Sequence, residues 1–167
     1  AMAFMQAVAK DSTLSSARFQ AGLDLLKQQP QTDPHEIAAI GYCFGGGVVL
    51  NAARQGVPLA GVVSFHGALT TNTPATPGSV KAKILVEHGA LDSIVTPENI
   101  TAFKSEMDKA GADYEFVSLD GAKHGFTNPD ADRLGHGDHG GPDIGYNKAA
   151  DEKSWADMQA FFKKIFG

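Results

Sequence analysis

The sequence predicts an α/β fold in which about four parallel strands are flanked by helices. Short apolar segments of strand length alternate along the chain with longer segments of helical length. This alternation is typical of parallel sheets whose strands are joined by crossover helices. The length of 167 residues and the hydrophobic content of 43% are sufficient for one hydrophobic core. We therefore expect a single domain that spans residues 1–167.

The predicted elements follow from the apolar pattern and from the residues that begin and end helices. An amphipathic helix begins at Ser12 and is ended by Pro30, and a later helix is expected to have Thr96 and Gly111 as its caps. Predicted strands cover 36–42, 59–65, 83–88 and 114–119, the other predicted helices cover 45–53, 97–110 and 148–166, and the predicted loops include 70–78 and 125–147.

Composition argues against several classes of function. The 14 Lys and Arg residues are outnumbered by 19 Asp and Glu residues, and a net charge of -5 disfavours nucleic acids and anionic membranes as partners. No apolar run is long enough to cross a bilayer, and residues 1–7 lack the features of a signal peptide. We therefore expect a cytoplasmic protein. The glycines at 45–47 are not part of a phosphate-binding motif, so no cofactor is expected.

The single cysteine, Cys43, lies between a predicted strand and a predicted helix, in the segment Gly41-Tyr42-Cys43-Phe44-Gly45. This spacing is typical of a nucleophile elbow, a sharp turn that strains the backbone. We expect both flanking glycines to be needed because a Cβ would collide there. The N-H groups at the start of the following helix favour a thiolate and can bind an oxyanion. A lone cysteine is more often an inert core thiol, but this context favours a nucleophile.

Asp92 and His124 each follow a later strand of the predicted sheet. Taken singly, Asp92 is more simply a turn or cap residue, and His124 is more simply a surface histidine. Together with Cys43 they appear in the order nucleophile, acid, histidine, each after its own strand. That order is the one found in α/β-hydrolases. We therefore predict Cys43, Asp92 and His124 as the nucleophile, the acid and the base.

Four segments of the chain resemble the dienelactone hydrolase family, which has the α/β-hydrolase fold. They are Gly41-Tyr42-Cys43-Phe44-Gly45-Gly46, Ser64-Phe65-His66-Gly67, His88-Gly89-Ala90-Leu91-Asp92 and His124-Gly125-Phe126-Thr127-Asn128-Pro129. The resemblance implies hydrolysis of a small ester or lactone through a thioester on Cys43. His124 would transfer the proton, Asp92 would orient His124, and the N-H of Phe44 would bind the oxyanion.

The same resemblance implies that the fold is truncated. Only one predicted helix precedes Cys43, whereas the family has several strands and helices before its nucleophile. We expect the N-terminal part of the fold to be absent from this sequence, together with the loop that supplies a second oxyanion donor. The nucleophile strand would then lie at an exposed edge, which natural proteins normally cover. We expect this edge to pair with a second copy of the chain or with the missing N-terminal half.

Tyr42 and Phe126 lie close to Cys43 and His124 in sequence, and His66 follows the strand 62–65 at the same sheet edge as Cys43. All three are assigned to the substrate pocket. A structural histidine at a strand end is the favoured alternative for His66. Family members that act on dienelactone hold its carboxylate with arginines, one of them shortly after the catalytic histidine. Here residues 125–128 contain no arginine, and the first one is Arg133. A carboxylated dienelactone is therefore only one candidate substrate. Another small ester is at least as strong a candidate.

Three alternatives to this interpretation stay open. His136, Asp138 and His139 lie close together and invite a metal site, but their spacing matches no zinc pattern, so no metal is expected. The second alternative is that the chain is a catalytically silent fragment that acts as a binding or interaction module. A cysteine peptidase is disfavoured because the order of the three residues is that of the hydrolases.

Overall fold

A computed structural model describes residues 12–134 and 143–167 of the chain. The helices are α1 (Ser12–Lys27), α2 (Phe44–Arg54), α3 (Pro97–Ala110), α4 (Ala131–Leu134) and α5 (Lys148–Phe166), and the strands are β1 (Ala38–Tyr42), β2 (Gly61–Phe65), β3 (Lys83–Gly89) and β4 (Tyr114–Leu119). The strands form one sheet in the order β1-β2-β3-β4, and every pair is parallel. The predicted α/β architecture with four parallel strands is confirmed.

The bounds of α3 agree with the prediction because local interactions set both ends. The Thr96 side chain accepts a hydrogen bond from the Asn99 N-H, and the Asn99 side chain accepts one from the Thr96 N-H. Gly111 ends the helix with φ 67, in the left-handed region that favours glycine. The strand predicted from residue 36 begins two residues later, at Ala38. Part of the predicted loop 125–147 forms the short helix α4.

The helices pack on both faces of the sheet. On one face α1, α2 and α3 contribute Leu23, Leu50, Phe103 and Met107, which pack with Val62, Ile84 and Val86 of the strands. On the other face α5 contributes Ala150 and Met158, which pack with Val63, Phe65 and Leu85. Neighbouring strand residues therefore point to opposite, equally apolar faces. Within the described ranges, no helix has the length and apolar character needed to cross a membrane.

β1 is the first strand of the described sheet, so one side of it pairs with β2 and the other side is an edge. Ile40 is 43% exposed and Tyr42 is 39% exposed, both large values for apolar side chains in a parallel sheet. The strand that carries the predicted nucleophile thus lies at one edge of the described sheet, and β4 lies at the other.

Arg54 at the end of α2 forms a buried ionic cluster that the sequence did not reveal. Its guanidinium donates two hydrogen bonds to Glu106 of α3, from Nε at 2.9 Å and Nη2 at 3.0 Å. Nη2 also donates to the carbonyl of Leu69 at 2.7 Å, and Glu106 accepts a hydrogen bond from the N-H of Ala75. One arginine therefore joins two helices to the connector between β2 and β3.

Glu87 in β3 is buried, but unlike Arg54 it has no hydrogen-bond partner for its side chain among the described residues. Neither carboxyl oxygen has a hydrogen-bond partner among the described residues. Burial, together with the negative charge of Asp157 on α5, raises the pKa of Glu87 to about 8, although Lys153 opposes this. A carboxyl group in such surroundings is held in its neutral form near neutral pH.

We expect Glu87 to make the protein less stable as the pH rises. Its pKa of 4.5 in an unfolded chain is below the value of about 8 in the folded protein, so folding binds a proton between these values. The free energy of unfolding should therefore fall as pH rises through this interval. Urea denaturation from pH 5 to 8.5 should show a flatter profile for Glu87→Leu, with the largest stabilisation at the alkaline end.

The matched control is Glu36→Gln, which removes an exposed carboxylate that is not among the charges acting on Glu87. It should keep the pH slope of the wild type. Equal slopes in wild type and Glu87→Leu would contradict the raised pKa of Glu87.

Candidate active site

Cys43 lies on a strained turn between β1 and α2. Its backbone has φ 51 and ψ -118, which residues other than glycine rarely adopt. The Cys43 N-H donates to the Phe65 carbonyl at 3.0 Å and approaches Nδ1 of His66 at 3.2 Å. The Cys43 carbonyl accepts hydrogen bonds from the N-H groups of Gly46 and Gly47. Neighbouring strand and following helix together hold the turn, and the thiol is left exposed.

The glycines around Cys43 differ in how much the turn depends on them. A Cβ at Gly41 would lie 2.1 Å from the Gly45 carbonyl oxygen, so no larger residue fits there. A Cβ at Gly46 would lie 2.7 Å from Cα of Gly67, where α2 approaches the end of β2. A Cβ at Gly45 would meet no atom of the described residues within 4 Å. The expectation that both flanking glycines avoid a collision is therefore correct for Gly41 and wrong for Gly45, and Gly46 is the second constrained position.

Asp92 follows β3 and uses both oxygens of its carboxylate. Oδ1 accepts hydrogen bonds from the N-H groups of Ile94 at 2.8 Å and Val95 at 3.1 Å. Oδ2 lies 2.9 Å from Nδ1 of His124. Burial by itself would raise the pKa of Asp92, but the hydrogen bond from His124 and those from the two amides lower it overall. The group is therefore an ionised acceptor that fixes the His124 ring.

His124 connects Asp92 to Cys43. Its Nε2 lies 3.1 Å from Sγ of Cys43, so the three side chains form one continuous chain of hydrogen bonds. Burial disfavours the charged ring, but the hydrogen bonds to Asp92 and Cys43 outweigh it and raise the pKa of His124 to about 9. The hydrogen bond from His124 is also the main reason that the pKa of Cys43 is lowered. The geometry thus favours an imidazolium beside a thiolate.

The backbone N-H of Phe44, the residue that follows Cys43, contributes to the lowered pKa of the thiol. It is the first amide of α2, where N-H groups have no partner within the helix and the helix dipole favours negative charge. An oxyanion that forms next to Sγ would meet the same donor. The oxyanion role that the sequence assigned to Phe44 stays a prediction.

His66 links the Cys43 turn to the loop that carries His124. It has φ 39, the other described non-glycine residue with positive φ besides Cys43. Because Nδ1 faces the Cys43 N-H, Nδ1 accepts and Nε2 carries the proton, which it donates to Oγ1 of Thr127 at 2.9 Å. Burial and the nearby charge of His124, whose ring lies 5.0 Å away, lower the pKa of His66 to about 4. His66 is therefore a neutral ring beside a charged one.

These side chains open into a cavity of about 610 Å³. Its described lining consists of Tyr42, Cys43, His66, His124, Gly125, Thr127, Asn128, Pro129, Ala131, Ile144, Asp151 and Trp155. Of the three residues assigned to the pocket, Tyr42 and His66 line it. Phe126 does not, because it is fully buried and packs edge-on against His66 at 5.1 Å between ring centroids. Phe126 therefore packs behind the ring of His66 and does not face the cavity.

Asp151 and Trp155 are lining residues that the sequence did not point to, because they lie on α5, far along the chain from the predicted site residues. The three residues that were weighed as metal ligands, His136, Asp138 and His139, lie outside the described residues. Over residues 12–134 and 143–167, no group of three or more His, Cys, Asp and Glu side chains is arranged to hold a metal ion.

Comparisons with known proteins agree with this fold. The model of the dienelactone hydrolase family matches residues 1–166. The solved structure of the dienelactone hydrolase-like promiscuous phosphotriesterase P91, from metagenomic libraries, is 35% identical with a TM-score of 0.86, and the match covers 99% of this chain and 67% of that one. Uncharacterized protein K02A2.1 of Caenorhabditis elegans is 34% identical over 152 residues, 89% of this chain and 92% of that protein.

A more distant relative is the putative carboxymethylenebutenolidase of Escherichia coli O157:H7. It is 26% identical over 143 residues, which are 81% of this chain and 48% of that protein. The chain thus spans about half the length of that relative and two thirds of the solved structure.

We expect Cys43 to react with iodoacetamide at a lower pH than free cysteine does, because His124 lowers its pKa. Replacing His124 by alanine removes the main cause and should raise the pH midpoint of the alkylation rate. The chain has a single cysteine, so the alkylation signal is unambiguous. The control is His35→Ala, which removes an exposed histidine. An unchanged midpoint in His124→Ala would contradict the thiolate-imidazolium pair.

Proposed function

Because this chain belongs to the dienelactone hydrolase family, we propose that it hydrolyses a small ester or lactone and that Cys43, His124 and Asp92 do the chemistry. One observation carries the proposal. The hydrogen-bond chain from Asp92 through His124 to Cys43 ends at an exposed sulfur that opens into a cavity. A strained backbone turn and a lowered pKa at a cavity are more typical of a nucleophile than of a structural cysteine.

In the acylation step the Cys43 thiolate attacks the carbonyl carbon of the ester. The carbonyl electron pair moves onto oxygen, and the N-H of Phe44 donates a hydrogen bond to the resulting oxyanion. The tetrahedral intermediate then collapses and the bond to the leaving oxygen breaks. His124 gives its Nε2 proton to that oxygen, so an alcohol leaves and a thioester remains on Cys43.

In the deacylation step the neutral His124 takes a proton from water. The water oxygen attacks the thioester carbonyl, a second oxyanion forms beside Phe44, and the bond to sulfur breaks to release the acid. Asp92 keeps the Nδ1 proton of His124 in place throughout, so Nε2 always faces the reacting atoms. The proposed steps need no cofactor.

His66 fits this scheme as a positioning residue for Cys43. It accepts from the Cys43 N-H and donates to Thr127, which follows His124 on the same loop. A neutral ring in this place leaves the Cys43 thiolate with one cationic neighbour, His124. A charged His66 would lose its acceptor at Nδ1 and would oppose the protonation of His124 across 5.0 Å.

The test is a burst assay with p-nitrophenyl acetate. The wild type should release p-nitrophenol in a rapid first turnover, and the quenched protein should gain the mass of one acetyl group on Cys43. Cys43→Ala should show neither and should lose kcat/KM by at least about a thousandfold. His35→Ala should behave as the wild type. No burst and no adduct would favour the alternative, a catalytically silent module that binds a partner or ligand.

We also propose that the exposed edge of β1 pairs with further polypeptide, either a second copy of the chain or a separately supplied N-terminal half. The exposed Ile40 on this strand supports the proposal, because unpaired strand edges are normally covered. Sedimentation of the purified chain should show a species larger than its mass of 17.5 kDa. Ile40→Lys should shift that species toward the monomer. A monodisperse monomer in the wild type would contradict pairing between copies.

A further inference from the structure

The described lining of the cavity contains an acidic side chain that no basic side chain of the lining balances. Outside the Cys43 and His124 pair, whose opposite charges offset each other, Asp151 is the one acidic residue of the described lining. The described lining contains no lysine or arginine. The basic residues on either side of the lining segment 124–131 have acidic partners, since Lys123 pairs with Asp143 at 2.7 Å and Arg133 pairs with Asp130 at 3.6 Å.

The position of Asp151 beside the cavity is set by the helix that carries it and by a neighbouring tyrosine. Asp151 lies in the first turn of α5, where the helix dipole stabilises negative charge. Its Oδ2 accepts a hydrogen bond from the hydroxyl of Tyr146 at 3.2 Å. The charge also reaches the cavity wall, because burial and Asp151 together raise the pKa of the Tyr42 hydroxyl. A substrate group beside Tyr42 would experience the same negative charge.

Two aromatic side chains accompany this carboxylate. Tyr42 stacks on Phe65 with 4.6 Å between ring centroids and stays 39% exposed. Trp155 lies four residues after Asp151, on the same face of α5, and is 48% exposed. Exposed aromatic rings near a carboxylate bind cationic groups through cation-π and Coulomb attraction. The same arrangement offers a substrate carboxylate no favourable partner.

We propose that Asp151 is a specificity-determining residue, through which the cavity favours esters with a positively charged group over esters with a carboxylate. The inference rests on the proposed hydrolysis at Cys43 and specifies the class of substrate for that site. An ester whose acyl carbon lies at Sγ extends its remaining part along the wall formed by Tyr42, Asp151 and Trp155. Uncharged esters take an intermediate place, because they neither gain nor lose Coulomb energy there.

The size of the effect follows from the exposure of the site. Asp151 is partly exposed, so its interaction with a charge a few ångströms away is weakened by water and salt. Such an interaction changes kcat/KM by about threefold to tenfold for each substrate charge. The cationic and the anionic ester move in opposite directions, so the ratio of their kcat/KM values changes by about tenfold or more.

The experiment compares three aryl acetates that differ in charge: 3-(trimethylammonio)phenyl acetate, 3-tert-butylphenyl acetate and 3-acetoxybenzoate. Release of the phenol gives kcat/KM for wild type and for Asp151→Asn, and the ratio between the two proteins cancels differences in leaving group. Asp151→Asn should reduce the ratio of the cationic to the anionic kcat/KM by about tenfold. In the wild type that ratio should approach the value of the variant at 1 M salt.

The matched control is Asp113→Asn, which removes the same charge from an exposed position where Asp113 pairs with Lys83. It should leave all three kcat/KM values unchanged. If wild type and Asp151→Asn acetylate Cys43 but show the same ratio, the proposed function stands and this inference is overturned. If the wild type hydrolyses none of the three esters and forms no acetyl adduct, both are overturned.

Discussion

The strained turn at Cys43 is the constraint on which the rest of the site depends. A backbone with φ 51 at a residue other than glycine persists only where its surroundings hold it. Here β2 binds the Cys43 N-H, the first turn of α2 binds the Cys43 carbonyl, and the lack of a Cβ at Gly41 leaves room for that turn. The result is an exposed thiol whose pKa is lowered in part by the first amide of α2, that of Phe44.

Of the two histidines beside this turn, His124 is charged and His66 is neutral, and the difference follows from the groups that each ring faces. Both rings are buried, and burial by itself disfavours the protonated form of each. His124 faces the carboxylate of Asp92, which outweighs the cost of burial. His66 faces a backbone N-H and the Thr127 hydroxyl, neither of which stabilises a positive charge. The proposed chemistry uses the charged ring for proton transfer and the neutral ring to hold the turn.

Burial of charge away from the site shows the same balance. Arg54 is almost fully buried, but four acceptor oxygens surround it, namely both carboxylate oxygens of Glu106, the Asn51 side chain and the Leu69 carbonyl. Glu87 has no such partners among the described residues, and its pKa is raised as a consequence. A buried ion is tolerated where its hydrogen bonds are complete, and a buried group without them is held neutral.

The sequence by itself determined the features that depend on neighbouring residues. The bounds of α3 follow from Thr96 and Gly111, which act within one helical turn. The candidate residues Cys43, Asp92 and His124 could be named because parallel strands place all their carboxyl ends at one edge of the sheet.

Only the tertiary structure decided the contacts between residues that are distant along the chain. They include the pairing of Arg54 with Glu106, the position of His66 between Cys43 and Thr127, and the place of Asp151 and Trp155 on the cavity wall. The collision at Gly46, and its absence at Gly45, also depend on how α2 approaches the end of β2. Strand register and the seating of each helix on the sheet set these distances, and no local pattern of residue types specifies either.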